Sequence, residues 1–224
     1  MAMFCISILS QNTEEALEKI AGAEQLADIL EIRLDVMESF DLGKIVSAAS
    51  KPVIVTYRSK KEAGRGSADY GTRVRYLLKA AEVGADFVDV EFSMPLEFRK
   101  NLSQRRNTCQ LIVSTHLLNG TPSREDLEEV FRKMAATGAD IVKIVTQART
   151  PQDNLRVLGL ISLAKNLGIK IIAFCMGPMG RISRIASPLM GGYLTFASLE
   201  TGEESASGQI PIREMKKILD IILS

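Results

Sequence analysis

A lysine inside an otherwise apolar segment is the residue with the clearest capacity for chemistry in this sequence. Lys143 is the only charge in Ile141-Val142-Lys143-Ile144-Val145. Lysine is rarely buried without a partner, and burial disfavours its charged form and lowers its pKa. A neutral buried amine can attack a ketone to form an imine. The alternative is a structural lysine whose long side chain carries its charge out to solvent.

The only histidine, His116, follows the apolar segment Leu111–Thr115. An imidazole exchanges protons near neutral pH, so His116 is a candidate general base. A lone histidine is more often a structural group, but its position at the end of an apolar segment favours catalysis. One histidine, with cysteines that lack CxxC spacing, predicts that the protein has no metal site.

Two pairs of charged residues also interrupt apolar segments. Glu31 and Arg33 are two residues apart, so they share one face of a strand and form either a structural ion pair or part of a site. Asp89 and Glu91 repeat this spacing. Their candidate partners are Arg33, Arg58 and Lys143.

Two further arginines follow apolar segments, and a polar stretch follows the last one. Arg58 comes directly after Val53–Tyr57, and Arg184 follows a loop that contains Gly177 and Gly180. Arg58 is either a solvated loop residue or part of a site, whereas Arg184 offers a planar group suited to binding a carboxylate. The stretch 201–209 is small and polar, which is typical of a flap that orders over a ligand and also of an ordinary surface loop.

The elements that must position these residues alternate regularly along the chain. Short apolar segments predict strands at Phe4–Leu9, Ile29–Leu34, Val53–Tyr57, Phe87–Glu91, Leu111–Thr115, Ile141–Val145, Lys170–Cys175 and Tyr193–Ala197, with helical patterns between them. Eight such units favour an α/β fold closed into a (β/α)8 TIM barrel, whose functional face lies at the carboxyl ends of the strands. The alternative is a doubly wound open sheet, but no GxGxxG follows the first strand to support it.

Helix boundaries are marked at both ends. Side chains suited to capping a helix start precede several helical patterns, and glycines stand where helices should stop before a strand. The predicted caps are Asn12, Ser123 and Thr150, and the predicted stops are Gly84, Gly138 and Gly168.

Composition limits the function classes. The chain has 224 residues, 46% of them hydrophobic, which predicts one globular domain over residues 1–224. The net charge of +1 gives no electrostatic footprint for nucleic acid or an anionic membrane. No apolar run approaches the roughly 20 residues that cross a bilayer, and the start Met1-Ala2-Met3-Phe4 is not typical of a signal peptide. The odd cysteine count (Cys5, Cys109 and Cys175) suits a reducing cytoplasm.

In their order along the chain, these segments resemble the type I 3-dehydroquinate dehydratase family. No single segment is specific, but the resemblance extends from Ser7 to Gln209. The matching segments are Glu31-Ile32-Arg33-Leu34-Asp35, Thr56-Tyr57-Arg58 with Glu62, Ser114-Thr115-His116, Val142-Lys143-Ile144, Met176-Gly177 through Ser183-Arg184, Phe196, and Ser205 to Gly208-Gln209.

The resemblance implies a barrel enzyme of the shikimate pathway of aromatic amino acid biosynthesis. Such an enzyme is a homodimer and needs no metal or organic cofactor. It removes water from 3-dehydroquinate to give 3-dehydroshikimate. By resemblance, Lys143 forms a Schiff base with the C3 ketone, and His116 removes a C2 proton and then protonates the departing C1 hydroxyl in a syn elimination. Glu62 matches the carboxylate that orients this histidine.

The resemblance also implies a set of substrate-binding residues. Arg184 matches the arginine that binds the substrate carboxylate, with Ser205 and Gln209 closing from the last loop. The residues that hold the hydroxyls and balance the charge are Glu31, Arg33 and Arg58. Ser7 lines the pocket, and Met176 and Phe196 form its apolar walls.

Three positions depart from the family pattern. Ala63 replaces a common glycine after Glu62, Leu117 replaces a common acidic residue after His116, and Ser207 replaces a common proline in the last loop. These differences concern the loops and the setting of His116, and they leave the Schiff-base assignment unchanged.

Two other readings stay open at this point. A class I aldolase or transaldolase is also a Schiff-base barrel, but it usually binds phosphorylated sugars, whereas Arg184 with Gln209 suits a carboxylate better. A non-catalytic barrel that binds a small acid or a protein predicts an ordinary, unreactive amine at Lys143.

Overall fold

The computed structural model describes residues 3–224. Met1 and Ala2, which begin the segment predicted not to be a signal peptide, lie outside these residues. The strands are β1 (Phe4–Ile8), β2 (Ile29–Arg33), β3 (Val53–Thr56), β4 (Phe87–Glu91), β5 (Gln110–Leu117), β6 (Ile141–Gln147), β7 (Lys170–Met176) and β8 (Thr195–Ala197). The helices are α1 (Thr13–Ala23), α2 (Leu42–Ala48), α3 (Tyr70–Glu82), α4 (Leu96–Arg105), α5 (Arg124–Ala135), α6 (Pro151–Asn166), α7 (Arg181–Leu189) and α8 (Ile212–Leu223). Short 3-10 helices span Leu34–Val36, Lys60–Glu62 and Pro178–Gly180.

The strands form a nearly closed parallel barrel. Their order is β7-β6-β5-β4-β3-β2-β1-β8, and every neighbouring pair is parallel. At the remaining seam, the backbone N–H of Tyr193 donates to the carbonyl of Ile171 at 2.7 Å, just before β8. The (β/α)8 prediction is therefore confirmed, and the open sheet, which needs a reversal of strand order, is wrong.

Strand bounds agree with the prediction to within one residue except at one end of β5, β6 and β8, where they differ by two. β5 and β6 continue through polar residues to Leu117 and Gln147, because their backbones stay paired beyond the apolar segments. β8 begins only at Thr195, because the chain turns through Gly191, which has a φ of 101°, shortly before it.

The predicted helix boundaries are present. Asn12 and Ser123 accept hydrogen bonds from the backbones of Glu15 and Asp126, at 2.9 Å and 3.1 Å. Asp153 accepts from the N–H of Thr150 at 2.8 Å, as a capping box requires. The predicted stops Gly84, Gly138 and Gly168 all have positive φ.

The barrel interior is built in layers from alternate strands. The bottom of the barrel is apolar. It consists of Ile29, Phe87 and Ile141 from the even strands and Leu194 just before β8, with Cys5, Ile54, Ile112 and Ile172 from the odd strands. Two residues further along the even strands come Glu31, Asp89, Lys143 and Phe196. Two residues further along the odd strands come Ser7, Thr56, Ser114 and Phe174. A layer that contains charged side chains therefore lies directly above an apolar layer that fills the bottom of the barrel.

Three aspartates fix the register that produces this layer. Asp28, Asp86 and Asp140 immediately precede β2, β4 and β6. Each accepts a hydrogen bond from the backbone of the preceding odd strand, at Phe4 N (2.9 Å), Val53 N (2.8 Å) and Leu111 N (2.7 Å) respectively. The charged layer residue stands three positions after each aspartate.

The helices surround the barrel, and their apolar faces pack on the outward-facing strand residues in one large core. Within residues 3–224, no helix combines the length and apolar composition that a membrane crossing requires.

Candidate active site

A cavity of about 320 Å³ opens at the carboxyl ends of the strands. All twelve residues predicted from the sequence line it, namely Ser7, Glu31, Arg33, Arg58, Glu62, His116, Lys143, Met176, Arg184, Phe196, Ser205 and Gln209. The sequence predicted no individual role in the site for the other lining residues, which are Ala63, Leu118, Val145, Gln147, Phe174, Ala206 and Ser207.

Lys143 points into the barrel and not out to solvent. Its residue is only 4% exposed, which excludes the alternative of a solvated structural lysine. Its Nζ lies 3.2 Å from Oδ2 of Asp89 and 3.6 Å from Oε1 of Glu31. The amine also lies 4.2 Å from the centre of the Phe196 ring. Lys143 is therefore held between two carboxylates of its own layer and one aromatic face.

The two carboxylates beside Lys143 are held by hydroxyl groups of the odd strands. Ser7 and Thr56 donate to Glu31 at 2.6 Å and 2.8 Å, and Ser114 donates to Asp89 at 2.5 Å. Burial alone raises the pKa of Glu31, but the charges of Lys143 and Arg33 and the bond from Ser7 hold it below its usual value.

Arg33 does not pair with Glu31, so the interpretation of these residues as a structural ion pair is wrong. Its guanidinium instead binds Asp35 through two bonds, at 2.8 Å and 2.9 Å. Asp35 also accepts the backbone N–H groups of Arg58 and Arg65, at 3.1 Å and 3.0 Å. The pair therefore joins the end of β2 to the loop after β3.

Arg58 is buried among carboxylates and is not a solvated loop residue. Its Nη2 lies 2.8 Å from Asp89, and its Nη1 lies 2.8 Å from Ser114 Oγ and 3.6 Å from both Glu62 and Glu91. Burial lowers the pKa of Arg58, but these acids raise it above its usual value.

Glu91 has a second cationic partner that the sequence did not indicate. Arg73 of α3 reaches it at 3.2 Å, which adds to the contact with Arg58. Two of the three partners predicted for Asp89 and Glu91 are therefore present. Arg58 contacts both acids, and Lys143 contacts Asp89.

His116 and Glu62 form a hydrogen-bonded pair. Glu62 Oε2 lies 3.1 Å from His116 Nδ1 and accepts the His116 backbone N–H at 3.0 Å, while Ser93 donates to its other oxygen at 2.8 Å. Burial lowers the pKa of His116 well below its usual value, and the charges of Arg58 and Lys143 add to this effect. A neutral imidazole that donates from Nδ1 has Nε2 free to accept a proton.

The pKa of Glu62 is shifted in the opposite direction from the pKa values of Glu31 and Asp89, which are both lowered. Burial raises its pKa to about 7, with a further contribution from the nearby charge of Glu91 and an opposing one from Arg58. Glu62 therefore changes charge near neutral pH, which links the state of His116 to pH.

Arg184 is a buried cation without a carboxylate partner in the described part of the chain. It is 1% exposed, stacks 4.5 Å above Phe174 and donates from Nη2 to the Ser207 carbonyl at 3.3 Å. Its Nε and Nη1 have no partner, and burial lowers its pKa to about 10. Because a buried guanidinium strongly favours a charged acceptor, this arrangement suits a bound anion.

The last loop covers the same side of the cavity. Ser205 and Gln209 bind each other through the Ser205 N–H (2.6 Å) and hydroxyl (3.0 Å). Gly177 N–H donates to the Ser207 carbonyl at 3.0 Å. Ser207 thus acts through its carbonyl, which a proline would also supply, so this departure from the family leaves the contact intact. Closure of this loop over a bound ligand remains a prediction.

Comparison with known proteins agrees with this geometry. Residues 4–224 match the family model described as Type I 3-dehydroquinase. The chain belongs to the type I 3-dehydroquinase family.

Two relatives of this chain differ in how much of their own length it matches. The chain is 34% identical over 215 residues to the 3-dehydroquinate dehydratase of Thermococcus onnurineus, with 96% of each chain covered. It is 36% identical over 220 residues to the bifunctional chloroplastic 3-dehydroquinate dehydratase/shikimate dehydrogenase of Arabidopsis thaliana. That match covers 96% of this chain but only 36% of the plant protein.

Solved structures in the family share the barrel. The 3-dehydroquinate dehydratase of Geobacillus kaustophilus superposes with a TM-score of 0.89 at 27% identity. The match covers 100% of this chain and 91% of that protein.

Proposed function

We propose that this protein is a 3-dehydroquinate dehydratase, a lyase of the shikimate pathway, that works through a Schiff base at Lys143. The observation that carries the proposal is the buried Lys143 amine in one cavity with the His116–Glu62 pair and the unpaired guanidinium of Arg184.

The first step uses Lys143. After losing a proton, its amine attacks the C3 ketone, and loss of water leaves an iminium between Nζ and C3. Asp89 and Glu31, within 3.6 Å of Nζ, balance this positive charge throughout. The ring of Phe196 stabilises the same cation through its face.

The second step uses His116. The iminium withdraws electrons, so a proton on C2 becomes acidic and passes to Nε2 of His116. The resulting enamine expels the C1 hydroxyl, which takes the same proton and leaves as water. Hydrolysis of the new iminium then frees 3-dehydroshikimate and Lys143. Glu62 holds the imidazole by Nδ1 in both protonation states.

Substrate orientation follows from charge. Arg184 binds the carboxylate through Nε and Nη1, and Ser205 and Gln209 close over it from the last loop. Two groups of residues complete the site. Ser7, Glu31, Arg33 and Arg58 hold the hydroxyl side, while Met176 and Phe196 provide apolar walls.

The proposed chemistry needs no metal or organic cofactor, because Lys143 supplies the electron sink and His116 the proton transfer. We expect turnover to persist at the same rate after treatment with EDTA and dialysis. Loss of activity that returns when a divalent metal is added would contradict this part of the proposal.

A turnover assay tests the proposal. The conjugated enone of 3-dehydroshikimate absorbs ultraviolet light, so wild-type protein with 3-dehydroquinate should show a steady rise in absorbance. Lys143→Met should abolish that rise, whereas Lys165→Met, which removes an exposed lysine of α6, should leave it unchanged.

Each failure of this assay has a separate meaning. Inactive wild type would overturn the dehydratase assignment, and phosphorylated sugars would then test the aldolase alternative. Full activity in Lys143→Met would retain the reaction but overturn the Schiff base.

A further inference from the structure

Gln147 lies in the cavity with unused hydrogen-bonding capacity. It is the last residue of β6, and the alternation of the strand places it on the same face as Lys143 and Val145, which also line the cavity. Its Nε2 donates to the Ala148 carbonyl at a long 3.3 Å. Within residues 3–224, its Oε1 receives no hydrogen bond. One N–H and the oxygen of the amide are therefore available to a ligand.

The Gln147 amide forms part of the same wall as Arg184. Gly177 makes this possible, because a Cβ at that position would overlap Gln147 Nε2. The Gly177 N–H and Arg184 Nη2 both donate to one oxygen, the Ser207 carbonyl, at 3.0 Å and 3.3 Å. A single backbone group therefore joins Arg184 to Gly177, the residue against which the Gln147 amide packs.

This wall faces the acidic end of the substrate. Arg33 is bound to Asp35, and Arg58 is bound to Asp89. Arg184 is thus the guanidinium of the cavity that has no carboxylate among the described residues. In the proposed function the substrate carboxylate binds Arg184, which lines the same cavity as Gln147.

We propose that Gln147 is a specificity-determining residue that donates a hydrogen bond from Nε2 to the substrate carboxylate held by Arg184. This inference rests on the proposed function, because that function supplies the carboxylate. A carboxylate only accepts hydrogen bonds, so the amide must present its N–H groups, and the weak bond to Ala148 lets one of them turn toward the ligand. The amide then distinguishes an acid from a neutral analogue.

Two substitutions of Gln147 distinguish a role in substrate binding from a role in supporting the last loop. Gln147→Met keeps the length of the side chain and its contact with Gly177 but removes the donor, so we expect KM to rise about tenfold with little change in kcat. Gln147→Glu keeps the shape and adds a negative charge, so KM should rise about 100-fold. Gln104→Glu adds the same charge on the exposed face of α4 and should behave as wild type.

Binding of quinate gives a readout that does not depend on turnover. Quinate carries the carboxylate but has no ketone, so calorimetric titration should show the same order of affinities: wild type, then Gln147→Met, then Gln147→Glu. This order supports the inference even if dehydration fails. Equal KM and quinate affinity in Gln147→Glu and Gln104→Glu would overturn it, as would no binding of quinate to wild type. A fall in kcat alone, equal in both Gln147 variants, would assign the residue to loop support instead.

Discussion

Lys143 is kept inside the barrel by charged side chains of two other even strands, β2 and β4. Asp89 and Glu31 lie within 3.6 Å of its amine, and hydroxyl groups of Ser7 and Ser114 hold these two acids in place. Below this layer the barrel is apolar, so the amine has no route to solvent in that direction. The lysine is therefore fixed in position before any ligand arrives, which favours attack on a bound ketone.

Glu62 should impose an acid limb on the pH dependence of kcat. Its pKa is about 7, so it is protonated below that pH and ionised above it. A protonated Glu62 would donate to Nδ1 of His116 and force the ring proton onto Nε2, which removes the base. The pKa of His116 lies well below its usual value, so the imidazole itself stays neutral here. Activity should therefore rise as pH rises through about 7.

Replacement of Glu62 tests this assignment. Glu62→Gln cannot ionise, so kcat should be lower, by roughly tenfold or more, and should not change with pH around neutrality. Glu97→Gln, on the surface helix α4, should keep the wild-type profile. An acid limb that persists near pH 7 in Glu62→Gln would assign the titration to another group.

Single residues could be predicted from the sequence where a polar group interrupts an apolar strand. That signal found Lys143 and His116, and the family resemblance added Glu62, which lies far from them in sequence. The pairing of Arg73 with Glu91 carried no such signal, because Arg73 comes from a helix and the contact depends on how α3 packs. Gln147 stands two inward positions beyond Lys143, so period two could have found it if the strand end had been placed correctly.

The elements hold the site through the register of the even strands. Asp28, Asp86 and Asp140 bind the start of the preceding strand, and the residue three positions later enters the charged layer. The repeat Ala-Asp before β2, β4 and β6 is visible in the sequence. The role of these aspartates in setting the register cannot be read from the sequence, because their hydrogen bonds connect residues between 24 and 33 positions apart.

The turn after β3 stores backbone strain at Ala63. Ala63 ends the short 3-10 helix that carries Glu62 and has a φ of 64°, a left-handed conformation that glycine adopts more readily. The departure from the family's glycine thus falls at a position where glycine is the better residue. Ala63→Gly should raise the free energy of unfolding by up to about 1 kcal/mol, because relief of strain exceeds the added chain entropy.

Denaturant unfolding of the Ala63→Gly variant checks this effect. Ala21→Gly serves as a control, because that alanine is exposed within helix α1 and its replacement should destabilise the protein by about 0.5–1 kcal/mol. Equal destabilisation by both substitutions would show that Ala63 is not strained in solution.

At the scale of the whole molecule, the eight-fold alternation of elements was enough to predict a barrel, and the observed strand order agrees with it. The seam between β7 and β8 could not be predicted, because it depends on where the chain turns through Gly191 and Gly192. The position of the charged layer above the apolar bottom of the barrel can be derived only when the register of every strand with its neighbours is known.

We expect a homodimer, and an apolar surface on one side of the barrel is suited to it. Leu155 of α6 is 72% exposed, and Met179 and Ile182 at the start of α7 are 53% and 62% exposed. The side chain of Asn154 donates to the Met179 carbonyl at 2.8 Å, which keeps the two groups adjacent. Exposed apolar side chains that cluster in this way are typical of an interface.

Light scattering after gel filtration tests the homodimer. Wild type should have twice the mass of the chain, and Leu155→Asp should shift the protein toward monomer. Ile221→Asp, at a 75% exposed site on α8, should leave the dimer intact. A monomeric wild type at micromolar concentration would contradict the prediction.

Trapping the Lys143 imine would show the Schiff base directly. Wild-type protein is incubated with 3-dehydroquinate and borohydride, digested and analysed by mass spectrometry, with Lys143→Ala treated in parallel. We predict one reduced adduct, on the peptide that contains Lys143, and none in the variant. No adduct on wild type, or an equal adduct in Lys143→Ala, would rule out a Schiff base at Lys143.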